Sequence, residues 1–452
     1  MSVTPSIFKA YDVRGIYPDE FDESVAELVG QAFVTYLNAK RLAVARDMRL
    51  SSNSLAAAFI EGARTQGADI VDYGLASTDM LYYGVSHENH DGGAMITASH
   101  NPKEYNGIKL VGRQASALSG DEGIASIRDM VVRHNIPSPA STRGILSQAQ
   151  LLDQYVSHVL SFIDTSIIKP FRLVLDAGSG MAGVAAPSIF DSLPCQTTRL
   201  CFEIDGSFPN HEANPLIEAN RKHLVSTVVD TQADLGIAWD GDADRCFFVD
   251  ENGQFVPGDF VTTLLAEAFL LKHPGSTIIY DVRASHAVPN TVDRLHGKPL
   301  INRVGHAFFK KRMRETNAIF GGEVTGHYYF RDNAFADNGL IPALLILELL
   351  SKHGTSLAEL LAPLRSRYFI SGEINTTVQD MSIIPTKLDQ ISACYSDASQ
   401  HRIDGLSIEY PDWHFNLRGS NTEPLFRLNL EANTPSLMAD KRDEVLSLIR
   451  AG

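Results

Sequence analysis

Cysteine is scarce in this 452-residue chain: four residues, at 195, 201, 246 and 394, with no Cys-x-x-Cys pair. That excludes a dense disulfide framework and fits a reducing compartment where buried thiols act as small apolar groups. Long apolar runs are also missing. The N-terminal Met-Ser-Val-Thr-Pro-Ser-Ile-Phe-Lys-Ala has no apolar signal core, and the longest apolar stretch, around Gly339 to Leu350, contains Glu348 and is too short to span a bilayer. Net positive charge is absent. At a formal −15 the surface as a whole repels nucleic acid and anionic membrane, so neither is an expected partner. An anionic ligand can bind only where arginine, lysine or a metal gathers locally. No low-complexity tract and no fixed-period repeat is legible. The expected location is cytoplasmic.

What is present is ordinary globular material, 44% hydrophobic and 21% charged. At about 150 residues per domain the length suggests three domains. A short apolar run, a turn and a longer amphipathic stretch recur at Leu42–Ala45, Ala68–Tyr73, Arg172–Leu175 and Thr277–Tyr280. This rhythm predicts α/β units with mixed, mainly parallel sheets. Turn-rich breaks fall at Ile136–Gly144 and Asp250–Gly253, and the pattern changes to a smaller α+β unit near Pro363–Gly372. Four domains are therefore expected, over 1–145, 146–253, 254–365 and 366–452.

Four segments carry chemistry. Thr97-Ala98-Ser99-His100-Asn101-Pro102 follows the apolar run Gly93–Ile96, with Lys109 just beyond. Pro102 biases Asn101 away from helix, which predicts Ser99 on an exposed loop at the carboxyl end of a strand. A hydroxyl there can carry a phosphoryl group beside His100 and Lys109; a polar, helix-capping turn would use the same residues. Asp240-Gly241-Asp242-Ala243-Asp244-Arg245 sets three carboxylates between the two smallest residues. So packed, they repel one another unless a cation sits among them, and a hard divalent ion such as Mg²⁺ suits oxygen donors. The glycine is misplaced for an EF-hand, and a solvated acidic turn is the plainer alternative. Three aspartates, Mg²⁺ and a phosphoserine of about −1.5 to −2 would need surrounding cations, and Arg14, Lys109, Arg245 and Arg283 fit that need.

Gly321-Gly322-Glu323-Val324-Thr325-Gly326-His327 offers an acceptor, a hydroxyl and an imidazole between glycines, suited to sugar hydroxyls or to an ordinary turn. Arg418-Gly419-Ser420-Asn421-Thr422-Glu423-Pro424, with Arg427 beyond, offers a guanidinium fork and neutral donors for phosphate. It lacks the lysine of a nucleotide P-loop. Tyr11-Asp12-Val13-Arg14-Gly15 either aims Arg14 into a cleft or forms a surface pair, and His306 is a candidate proton carrier.

In order and spacing these segments resemble the α-D-phosphohexomutase superfamily and, more narrowly, its bacterial phosphomannomutase/phosphoglucomutase members, from Phe8 to the Arg418 loop. The resemblance implies four domains in a heart shape, each lending one loop to a central cleft. It implies that Ser99 is the phosphoserine, that Asp240, Asp242 and Asp244 hold Mg²⁺ with a phosphoserine oxygen, and that Arg245 stabilises the transferred group. Lys109 and His306 match the acid/base pair, Glu323 and Thr325 the sugar loop with His327 beside them, and Arg418, Ser420, Asn421, Thr422 and Arg427 the distal phosphate clamp. Tyr11, Arg14 and Arg283 join the same cleft.

The implied reaction interconverts hexose 6-phosphate and hexose 1-phosphate, mannose before glucose, through a hexose 1,6-bisphosphate that also serves as primer. Sugar phosphates are the expected partners and a monomer or weak dimer the expected assembly. Thr325 stands where many members have serine, and Arg283 where many have lysine. The Ser-Asn-Thr-Glu-Pro ending argues against the phosphoglucosamine branch. The alternatives are a chiefly phosphoglucomutase activity, a metal-dependent sugar phosphatase, or a sugar-phosphate sensor without chemistry.

Overall fold

The computed structural model describes residues 3–118, 123–420 and 424–451. Asn421 and Thr422 of the expected clamp lie outside them. The chain forms two compact units: Met1–Val256 with His306–Ile319 and Thr325–Leu357, and Pro257–Gly305 with Phe320–Val324 and Ala358–Gly452. Across them run three α/β domains with mixed sheets and a further, small antiparallel C-terminal domain, the fold class expected.

The first unit opens with a six-stranded sheet. Its strand Gly92–Ile96 is buried along its whole length, pairing parallel with Arg41–Arg46 and antiparallel with Tyr105–Gly112. A strand covered on both faces reads as an unbroken apolar run, as Gly-Gly-Ala-Met-Ile does. Asp12–Ile16 closes one edge, and Asp69–Leu75 with Leu146–Gln148 the other, so this sheet runs three residues past the boundary expected at 145. Helix Glu23–Leu37 starts at Asp22, whose carboxylate accepts from Val25 N at 2.9 Å, a cap worth about 1 kcal/mol. It ends at Asn38 in the left-handed region. It packs on helix Ser52–Thr65 so closely that a Cβ on Gly62 would lie 2.0 Å from Glu27 O. Phe33 and Phe59, both fully buried, meet at that contact, and each contributes about 1.5–3 kcal/mol by leaving water.

A second sheet of five strands is built on Arg172–Asp176, parallel to Gln196–Leu200 and Leu235–Trp239. It continues antiparallel through Cys246–Asp250 and Phe255–Val256, joined by the hairpin at Asp250–Gly253. The apolar stretch after Gly339 forms helix Leu340–His353, buried inside this unit at Leu340–Ser351. Among the described residues no single helix is long and apolar enough to cross a membrane.

In the second unit, Thr277–Asp281 pairs parallel with Lys298–Asn302 and Phe320–Gly322 beside helix Gly258–Lys272. The C-terminal sheet is antiparallel, ordered Phe369–Thr377, Leu425–Ala432, Trp413–Gly419, Leu406–Glu409, Ser399–His401. Its core holds Phe415, Leu417, Phe426 and Leu428, with Ile391 and Val445 from the two helices that pack there.

Candidate active site

Two turns from distant parts of the chain make the centre of the first unit. Strand Gly92–Ile96 runs out to Ser99, whose φ of +50° lies in the left-handed region that side chains rarely adopt. Ser99 N donates to Thr97 Oγ1 at 2.9 Å, and Ser99 Oγ donates to Asp240 Oδ2 at 2.8 Å. His100 Nδ1 lies 3.1 Å from the same Oγ. The expectation of an exposed serine is corrected, since Ser99 is only 1% exposed. The aspartate turn packs directly upon it: a Cβ on Gly241 would lie 2.5 Å from Ser99 O, which explains the glycine between Asp240 and Asp242.

That turn follows strand Leu235–Trp239, with Ala243 at φ +60°. Asp240, Asp242 and Asp244 are buried, and each offers a carboxylate oxygen within 4.8 Å of the others. Lys109 Nζ sits 2.6 Å from Asp242 Oδ2 and 2.5 Å from Asp244 Oδ2, and Arg245 Nε is 3.6 Å from Asp240 Oδ2. Burial, and then the charges of Asp242 and Asp244, push the Asp240 carboxyl well above its ordinary range. Burial would raise Asp242 too, but Lys109 outweighs it and holds that carboxyl low. In turn the two aspartates overcome the burial of Lys109 and raise its ammonium well above the usual lysine value, making it a fixed counter-charge in this geometry. Oδ1 of Asp242 and Oδ1 of Asp244 are buried with no hydrogen-bond partner among the described residues.

Further side chains surround these turns. Arg14 donates to Asn101 Oδ1 at 2.7 Å and pairs with Asp12, so it braces the serine loop. His327 Nδ1 lies 2.9 Å from Asp337 Oδ2 and 3.7 Å from Asp244 Oδ1. Tyr11 meets the His306 ring edge-on at 5.1 Å. Burial and then Lys310 push the His306 imidazole well below its ordinary range, and burial followed by Arg245 does the same to His100. Both stand neutral. Thr325 is half-buried in this unit.

The second unit carries the other expected residues. Arg283 grips Asp281 with two bonds, Nε to Oδ1 at 3.0 Å and Nη2 to Oδ2 at 2.9 Å, and its Nη2 is 3.8 Å from Glu323 Oε2. Glu323 also accepts from Gly305 N at 2.9 Å. Arg418 and Arg427 are directly opposite on paired strands, and Glu373 joins Arg427 at 2.7 Å to Arg283 at 3.3 Å. Burial, and then the charge of Arg283, push the Arg418 guanidinium below its ordinary value. Ser420 is buried, and its N donates to Leu425 O at 2.9 Å.

Comparison with known proteins decides the family. Residues 5–134, 153–253 and 257–368 match the phosphoglucomutase/phosphomannomutase α/β/α domains I, II and III respectively. The chain belongs to the phosphoglucomutase/phosphomannomutase family. It is 40% identical over 452 residues to a protein of Xanthomonas campestris pv. campestris named phosphohexose mutases, covering 100% of both chains. It is also 40% identical over 454 residues to a phosphomannomutase of Escherichia coli, covering 98% of this chain and 99% of that one. The crystal structure of a family protein from Burkholderia thailandensis superposes with a TM-score of 0.90 at 34% identity, over 99% of this chain and 98% of the other. A phosphoglucomutase-like structure from Paramecium, at 18% identity and a TM-score of 0.79, shares the fold. As a member of this phosphomutase family the chain is an enzyme that transfers phosphate intramolecularly.

Sequence reasoning missed several residues that this family member places against the site. Thr78 Oγ1 donates to Asp242 Oδ2 at 2.5 Å. Lys310 Nζ lies 2.7 Å from Asp337 Oδ1, behind His327. Arg49 reaches the serine loop from the end of strand Arg41–Arg46. The signal available was position: Arg49 and Thr78 lie just beyond the carboxyl ends of strands, where α/β proteins build their sites.

Proposed function

We propose that this phosphohexomutase interconverts hexose 6-phosphate and hexose 1-phosphate, preferring mannose phosphates and accepting glucose phosphates, through a phosphoserine at Ser99. The observation that carries the reading is the Ser99 hydroxyl 2.8 Å from Asp240, at the mouth of a three-aspartate turn 141 residues away in sequence. The relatives named phosphomannomutase support the mannose preference.

The aspartate turn fits a hard divalent ion. It offers only oxygen donors, two buried carboxylate oxygens accept no hydrogen bond among the described residues, and three carboxyl groups converge within 4.8 Å. Asp240, Asp242 and Asp244, with Ser99, would hold Mg²⁺, which would supply charge neutralisation at phosphate oxygens. The chain's own residues do the rest. In each half-reaction a sugar hydroxyl oxygen, at C1 or C6, forms a bond to phosphorus as the Ser99 Oγ–P bond breaks. Neutral His306 takes the hydroxyl proton; His100, 3.1 Å from Oγ, carries a second proton while the phosphoryl group is on Ser99, because that group's negative charge favours imidazolium, and passes it to the serine oxygen as the bond breaks. The hexose 1,6-bisphosphate then turns end for end, and its other phosphoryl group passes back to Ser99 Oγ. The same bisphosphate primes an unphosphorylated enzyme.

Arg245 and Arg14 balance charge on the moving phosphoryl group, and Lys109 on the aspartates. Glu323, Thr325, Tyr11 and His327 take the sugar. Arg283, Arg418, Ser420 and Arg427, together with Asn421 and Thr422, take the phosphate that is not reacting. Coupled assays on mannose 1-phosphate and glucose 1-phosphate, with bisphosphate primer and Mg²⁺, test the reading. Wild type turns over both, mannose faster, and Ser99→Ala falls to background. Turnover that survives Ser99→Ala, with release of free phosphate, would replace the mutase by a sugar phosphatase.

A further inference from the structure

Arg49 is fully buried, and nothing in the reaction as described uses it. Its guanidinium donates to four backbone carbonyls of the serine loop and the first residue of the strand after it: Nη2 to Ser99 O at 2.9 Å and Asn101 O at 2.6 Å, Nη1 to Pro102 O at 2.8 Å and Tyr105 O at 3.0 Å. Carbonyls in a turn and at a strand start need donors, and one planar fork reaches all four. The charge is balanced from behind, where Asp47 Oδ2 lies 3.3 Å from Arg49 Nε and the pair shows no exposed side-chain surface. Asp47 is held in turn by Arg49 N at 3.0 Å and by Ser52 Oγ at 2.5 Å. Phe208 covers the guanidinium, its ring centre 5.3 Å away.

The residue at the centre of this clamp is the one with the costly backbone. Ser99 stands at φ +50°, a conformation an unrestrained serine leaves readily. Such a conformation persists only where its surroundings over-determine it, and it points to function where it occurs. Two restraints do so here: Arg49 on the Ser99 carbonyl, and Thr97 Oγ1 on the Ser99 amide. Rotation of that residue toward ordinary φ would swing Oγ away from Asp240.

We propose that Arg49 is a positioning residue for the nucleophile. Backed by Asp47, it fixes Ser99 in the left-handed conformation that aims Oγ at the aspartate turn. It touches no reacting atom. The inference rests on the reading of Ser99 as the phosphoryl carrier. It predicts damage to the transfer step and to the protection of phosphoserine from water, with little effect on the binding of free sugar phosphate. A loosened loop also admits hydrolysis: the Ser99 Oγ–P bond breaks as water oxygen bonds to phosphorus, inorganic phosphate leaves, and the proton returns to the serine.

The test is Arg49→Lys, which keeps the charge but has no fork to span four carbonyls. In folded protein, checked by melting, kcat falls about 100-fold, the penalty of a reacting group misplaced by about 1 Å. KM for glucose 1-phosphate stays within a few-fold, and the ratio of phosphate released to product formed rises. Thr97→Val, which removes the other restraint and a hydroxyl bonded to Asp47 but keeps the charges of Asp47 and Arg49, gives the same split to a lesser degree, and it decides the matter if Arg49→Lys does not fold. Unchanged kcat and hydrolysis ratio in a folded variant would overturn the inference. So would a loss confined to KM. Ser99→Ala assayed alongside separates the two ideas: if it retains turnover the phosphoserine reading fails, whereas an inactive Ser99→Ala beside a fully active Arg49→Lys sinks only the clamp.

Discussion

The two units bear opposite electrostatic problems and solve them differently. In the first, three aspartates and a serine are brought together from segments more than a hundred residues apart, and Lys109, Arg245 and Thr78 already satisfy part of their surface. What stays unmet is a hydrogen bond to two buried carboxylate oxygens among the described residues, a deficit that a divalent cation would remove. In the second, the cost falls on one guanidinium. Arg283 is held by Asp281 and Glu373, and Glu373 also holds Arg427, while Arg418 is destabilised by its own burial and then by Arg283. A guanidinium so placed is relieved by an anion. A chain of net charge −15 can thus still present a local cluster of arginines, two of them braced by Glu373.

If that contrast is right, weakening each unit should change a different constant. The larger effect is expected from Thr78→Val, which strips a donor from Asp242 without touching any charge. Affinity for Mg²⁺ should drop about 10–100-fold, with activity recovered at high Mg²⁺, as read from a metal titration of the rate. A smaller effect is expected from Arg418→Lys, which keeps the charge and loses the fork. KM for the sugar phosphate should rise about tenfold, from about 1.5 kcal/mol of charge-assisted hydrogen bonding, with the Mg²⁺ dependence unmoved. Should Thr78→Val raise KM and spare the metal response, or Arg418→Lys do the reverse, the division of labour is wrong.

Both turns at the centre of the first unit were legible because their chemistry is local. Three aspartates alternating with glycine and alanine stand out as a candidate ligand set, and a serine between a strand and a proline as a loop. The burial of Ser99 was not legible, because what covers it is the Asp240 turn. The same holds for Thr78, whose hydroxyl meets Asp242 across 164 residues, and for Arg49, whose four acceptors begin 50 residues on. Arg49 and Asp47 also look like a surface pair when only Arg-Asp-Met-Arg is seen. The fold class was readable from the strand and helix rhythm, yet the first sheet continues through Leu146–Gln148, since an edge strand of three residues leaves almost no periodic trace.

The account depends most on Ser99 carrying phosphate. Purified protein incubated with a hexose 1,6-bisphosphate and Mg²⁺, then digested and mapped by mass spectrometry, should show about 80 Da on the peptide containing Ser99 and no other. The mark should disappear on adding excess hexose monophosphate. A mark on another residue, or none in an enzyme that still turns over, would contradict the mechanism proposed for this site.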